Sequence, residues 1–123
     1  MIIDELQKLL ENYKVSTRVY ALLEDVAKRG RSFGIHLLLC TQSLKNSKLE
    51  QTTRNQLGLR IVFKLHKSEC GGFFDYNNEA PAALTQKGEA IYNTDNGQPA
   101  ANEKIMVDYI DEGEISGLIA GKG

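Results

Sequence analysis

With 123 residues, 41% of them hydrophobic and 25% charged, the chain has the size and composition of one globular domain with a single core. Its formal net charge of -1 supplies no overall basic field, so any contact with nucleic acid has to be local. Cys40 and Cys70 stand without a CxxC pair or clustered histidines, which argues against a disulfide framework and a zinc site and for reduced thiols in a cytoplasmic protein, and no apolar run is long enough for a membrane span.

The opening MIIDE reads as a short apolar strand running into a helix, because Leu6, Leu9, Leu10 and Tyr13 follow the i, i+3, i+4, i+7 spacing of one buried helical face. Ser16 is the expected N-cap of a second helix, in which Val19, Leu22, Leu23 and Val26 repeat that spacing until Gly30 stops it. Gly34 to Cys40 is a short apolar run between glycine and the polar TQS, the pattern of a central strand covered on both faces; His36 within it is expected to be packed in the core. Leu49 to Leu57 predicts a short helix, and LRIVFKL, rich in β-branched and aromatic residues, predicts another strand. Ser68 to Phe74 predicts a short helix despite Gly71 and Gly72, and the stretch Asn77 to Pro81 a surface loop. Glu89 to Asn93 and Lys104 to Tyr109 predict strands joined through Asn96-Gly97, a strong hairpin signal. Residues 1–110 then form one unit, and residues 111–123 are expected to be a flexible, acidic and Gly-rich tail.

Chemistry concentrates at three places. A strand ending in Asp4-Glu5 puts two carboxylates at the carboxyl edge of a sheet, where open α/β sheets bind ligands. In a nucleotide-hydrolysing site Asp4 would hold Mg2+, usually through water, and Glu5 would orient or deprotonate the water that attacks the γ-phosphate. The bland alternative is a helix N-terminus, where acidic residues are favoured by the dipole. If the second strand lies beside the first, its end, Thr41-Gln42, brings Gln42 next to Glu5 as a γ-phosphate sensor; otherwise the pair merely forms a turn. Arg29 and Arg31 fall at the opposite, amino-terminal end of that strand. There they either complement the preceding helix dipole or reach a neighbouring subunit as an arginine finger in trans.

Taken in order, IIDE, RGRSFGIHLLLCTQSL and RNQLGLRIVFKL resemble the C-terminal half of the ATPase core of the FtsK/SpoIIIE family of hexameric motors, over roughly residues 1 to 93. The resemblance implies an α/β, RecA-like P-loop fold from the Walker B strand onward, with a mostly parallel sheet ending in an antiparallel hairpin. It further implies ATP with Mg2+, self-assembly into a ring, and translocation of double-stranded DNA. Related motors of type VII secretion share the pattern and move proteins. By position, Asp4 and Glu5 match the Walker B pair, Asp4 as the metal ligand, and Gln42 matches the sensor. Arg31 is the preferred trans-acting finger and Arg60 the second candidate. Ser43-Leu44 stand where DNA translocases often read Arg-Pro, and Leu6-Gln7-Lys8 replace the small and acidic residues often found after DE, so the substrate class stays open between DNA and protein.

No G-x-x-x-x-G-K-[ST] occurs in the sequence; GLIAGKG at its end has its glycines one residue too close and Gly123 in place of the Mg2+-binding Ser or Thr. The expectation is therefore a piece of a larger motor that is inactive by itself, tethered to a membrane, if at all, by regions outside these residues. The alternative from another class is a non-catalytic docking or oligomerisation module.

Overall fold

The computed structural model describes residues 1–11, 13–44, 49, 51–108 and 110–120. It shows a mixed α/β chain with a small parallel sheet and a separate antiparallel sheet. The parallel pair is β1 (Ile2–Ile3) and β2 (Leu38–Leu39), in the register Ile2 to Leu38 and Ile3 to Leu39. Between them run α1 (Leu6–Leu10) and α2 (Tyr13–Arg29), then a 3-10 turn, Gly30–Phe33. Leu6 of α1 and Leu23 of α2 are almost fully buried, and these two helices pack on each other. Gly34 closes the 3-10 turn in the left-handed region, at φ 69°, and its N–H donates to the Arg31 carbonyl.

After α3 (Gln51–Gln56) come β3 (Arg60–Phe63), a 3-10 turn running into α4 (Cys70–Phe73), β4 (Glu89–Asn93) and β5 (Asn102–Met106). Strand order is β3-β4-β5, all antiparallel. One face of this sheet carries Val62 and Ile91, which form the main core with Phe74 and Leu84, flanked by Leu65, Phe73 and Ala80. Burying each of these large side chains contributes about 1.5–3 kcal/mol. The chain finishes in α5 (Glu112–Ala120).

Several expectations are corrected. The sheet is not mostly parallel: LRIVFKL pairs antiparallel with β4, because a continuous apolar run specifies burial and leaves strand direction to the partner. Among the described residues β2 has β1 as its sole neighbour, so it is not central; Ile35 and Leu38 are about half exposed and His36 is exposed, its carbonyl accepting from the α-amino group of Met1 at 2.7 Å. Ser16 is buried inside α2 rather than capping it, since the helix starts at Tyr13. The 77–81 stretch is packed, with Asn78 and Pro81 buried. Strand β5 starts two residues earlier than predicted, and Tyr109 lies outside the described residues.

Residues 112–120 are helical where irregular chain is expected. The cause is a capping box: Asp111 Oδ1 accepts from Glu114 N at 2.8 Å, and a Glu114 carboxylate oxygen accepts from Asp111 N at 3.1 Å. The β4–β5 connection runs through Asn96 and Gly97, both at positive φ, as the Asn-Gly pair predicts. Gly97 is required for a second reason: a Cβ there would sit 2.7 Å from Phe74 Cα and from Asp75 N.

Candidate functional site

The carboxyl edge of the parallel pair is built by backbone bonds across the two strands. Leu38 N donates to Met1 O at 2.9 Å, Cys40 N to Ile3 O at 2.8 Å, and Leu6 N to Cys40 O at 3.0 Å. The ladder carries the Asp4-Glu5 end of one strand alongside the Cys40-Thr41-Gln42 end of the other, so the structure brings together the two polar ends that the sequence separates by more than thirty residues. Asp4 Oδ1 accepts from Glu5 N at 2.9 Å. Glu5 itself sits in the left-handed region, φ 51° and ψ 50°, a conformation that costs a non-glycine residue about 1–2 kcal/mol and turns the chain abruptly from β1 into α1.

Glu5 forms an exposed ion pair with Lys8 at 2.8 Å, a contact worth little in high dielectric and easily exchanged. Thr41 ties the end of β2 to α1: its Oγ1 lies 2.6 Å from Gln7 Oε1 and 2.8 Å from the carbonyl of Ser43. The Thr41–Ser43 contact makes the TQS segment a turn, and Gln42 is left exposed at its apex.

The arginines divide. Arg29 is bonded to Asp25 one helical turn back, at 2.6 Å, which holds the Asp25 carboxyl below its ordinary value. Arg31 lies in the 3-10 turn leading toward β2, exposed, at the edge opposite Gln42. Arg60 is engaged inside its own chain. Its Nε donates to Leu57 O at 3.0 Å, its Nη1 to Phe73 O, Asn96 O and Asp75, and its Nη2 to Arg54 O at 2.9 Å and Asn96 Oδ1. Burial pulls the Arg60 pKa down from its usual value, and the Asp75 carboxylate opposes that shift.

Asp75 also receives Arg54 at 3.3 Å, so one carboxylate is shared between two guanidinium groups. A second polar knot lies nearby. Asn93, fully buried, accepts from Asp95 N and Gly97 N and donates to Gln98 O and Asn102 Oδ1, while Asn78 and Asn102 exchange amide hydrogen bonds. Sequence reasoning singled out none of Arg54, Asp75, Asn93 and Asn102: the partners of Arg54 and Asp75 are distant in the chain, and those of Asn93 lie within the irregular β4–β5 connection, where no periodicity marks a buried side chain. The turn signal at Asn96-Gly97 was the one local pointer to this region.

Both cysteines are free, and burial pushes the Cys70 thiol up, away from thiolate. Among the described residues no three or more His, Cys, Asp or Glu side chains are grouped to hold a metal ion. Were Mg2+ to bind at the Asp4-Glu5 edge, the Asp4 carboxylate would hold it as one contact to a largely hydrated ion. No described helix is long and apolar enough to cross a membrane. Comparison with protein-family models found no match to this chain, and comparison with curated protein sequences found none either.

Proposed function

We propose that residues 1–110 are the C-terminal half of a RecA-like ATPase domain of a ring motor of FtsK/SpoIIIE type, acting on double-stranded DNA. The observation that supports this reading is the parallel, in-register pairing of β1 with β2, which puts Asp4 and Glu5 on one sheet edge with the Thr41-Gln42 turn. Mg2+ bound with ATP supplies charge neutralisation at the β- and γ-phosphates. On this chain, Asp4 would hold the hydrated ion through its exposed carboxylate. Glu5, released from Lys8, accepts the proton of the attacking water or orients it. Gln42, with both a donor and an acceptor at its amide, reads the γ-phosphate end of the site. Arg31, exposed in the turn that leads toward β2, serves the site of the next copy in the ring.

The reading requires a Walker A segment encoded outside residues 1–123. Sequencing the gene ahead of the Met1 codon tests it: an in-frame G-x-x-x-x-G-K-[ST] is expected, and an in-frame stop codon there would leave the docking-module alternative. In the polypeptide that carries both motifs, Glu5→Gln is expected to abolish ATP turnover while nucleotide still binds. Stimulation of turnover by double-stranded DNA marks the DNA motor; stimulation by a protein substrate alone would assign it to the secretion type.

A further inference from the structure

Asn96-Gly97 is the only Asn-Gly pair in the sequence. Such a pair is the one most open to spontaneous deamidation, because glycine brings no side chain to shield its own nitrogen. In that reaction the Gly97 nitrogen attacks Asn96 Cγ, its proton passes to the departing amide, ammonia leaves and a cyclic imide closes. Water then opens the imide to aspartate or isoaspartate. An unfolded chain therefore carries a chemically labile point at residue 96.

The fold treats the two halves of this reaction differently. On the side of the electrophile, Asn96 is half-buried at φ 53°, and its Oδ1 accepts from Arg60 Nη2 at 3.3 Å. A guanidinium bonded to that oxygen draws electrons from Cγ and favours attack. The nucleophile is held back. Gly97 is buried, and its N–H donates to Asn93 Oδ1 at 2.9 Å. Asn93 is itself fully buried and fixed by bonds to Gln98 O and Asn102 Oδ1.

The peptide plane between residues 96 and 97 is pinned as well. Asn96 O accepts from Arg60 Nη1 at 2.8 Å and from Asp75 N at 3.2 Å, while Asn96 N donates to Gly58 O at 3.1 Å. Gly97 lies so close to Phe74 and Asp75 that a Cβ would sit 2.7 Å from Phe74 Cα and Asp75 N. Bringing the Gly97 nitrogen onto Asn96 Cγ means turning that plane, which breaks these bonds together.

We propose that Asn96 is a deamidation site held inert by the fold, so that its conversion records the opening of the β4–β5 connection away from Asn93, Asp75 and Arg60. Isoaspartate lengthens the main chain ahead of Gly97, so the Asn93–Gly97 bond and the close Phe74 contact do not both re-form, and the opening becomes permanent. The proposal is independent of the nucleotide reading, since these contacts include none of Asp4, Glu5, Arg31 and Gln42.

The test holds the full 123-residue chain in mildly alkaline buffer, native or unfolded in urea, and follows deamidation at residue 96 by peptide mass mapping. The native rate is expected to be at least about tenfold below the rate in urea, because reaction waits on opening. Asn93→Ala removes the acceptor for Gly97 N–H and should raise the native rate at least about threefold, with circular dichroism confirming that the variant is folded. If that variant does not fold, the wild-type comparison decides alone. A wild-type native rate within about twofold of the rate in urea overturns the proposal. A folded Asn93→Ala chain that deamidates no faster than the wild type also overturns it.

Discussion

Arg60 and Arg31 carry the same guanidinium and occupy opposite physical situations. Arg60 is nearly buried, and its planar fork of donors is distributed among three segments, 54–57, 73–75 and Asn96. A lysine keeps the charge but offers one point of donation instead of a fork. Arg60→Lys should therefore lose about 2–4 kcal/mol in urea denaturation, because buried carbonyls are left unpaired. Arg31→Ala, on an exposed turn, should stay within about 0.5 kcal/mol of the wild type. Equal stability of Arg60→Lys and the wild type would show that the cage is not structural.

Glu89 provides a pH-dependent counterpart. Its carboxylate, almost fully buried, accepts from Thr85 N and Gln86 N at 3.0 Å each and pairs with Lys104 at 3.0 Å. The Gln86 and Thr85 amides, with Lys104, lower its pKa to about 2. A carboxyl depressed on folding contributes stability that is complete above its unfolded value and disappears as pH falls through the folded value. The difference in Tm between the wild type and Glu89→Gln should accordingly be largest near neutral pH and shrink between about pH 4.5 and pH 2. A difference that stays constant across that range would mean the carboxylate charge does not matter.

At the level of elements, α2, α3, β3 and β4 are legible from periodicity and composition, since each pattern reflects side chains of one short segment facing one way. Helix α5 was not read from the sequence: Gly113 and Gly117 each weigh about 1 kcal/mol against a helix and obscured the Asp-x-x-Glu of its capping box. Asp111→Ala should remove about 1 kcal/mol of local helix stability. Amide exchange around residues 114–116 should then quicken about fivefold, with little change in global Tm because the helix buries no side chain. A fall in global Tm of several degrees would show that α5 is part of the folded core. The stretch from Asn77 to Pro81 was not legible as packed chain, because buried Asn78 bonds Gly97 and Asn102, some twenty residues away.

Across the whole molecule, the candidate site and the main hydrophobic core belong to different sheets. The polar edge rests on two short parallel strands, whereas Val62, Phe74, Leu84 and Ile91 consolidate the antiparallel one. The site is thus half of an edge, with no phosphate-binding loop in the 123 residues. The purified chain should show no Mg2+-dependent ATP hydrolysis above the buffer rate in a phosphate-release assay. Measurable turnover by this chain alone would contradict the proposed division of the site.

By itself the sequence determined where most helices and strands form, and that Asp4, Glu5 and Gln42 follow strands, because periodicity and turn chemistry act over a few neighbouring residues. Only the tertiary structure decided that β1 and β2 are neighbours, that β3 runs antiparallel to β4, and that Arg60 is enclosed while Arg31 is not. Those outcomes depend on contacts between segments far apart in the chain, and an apolar run or a lone arginine carries no record of which partner it will meet.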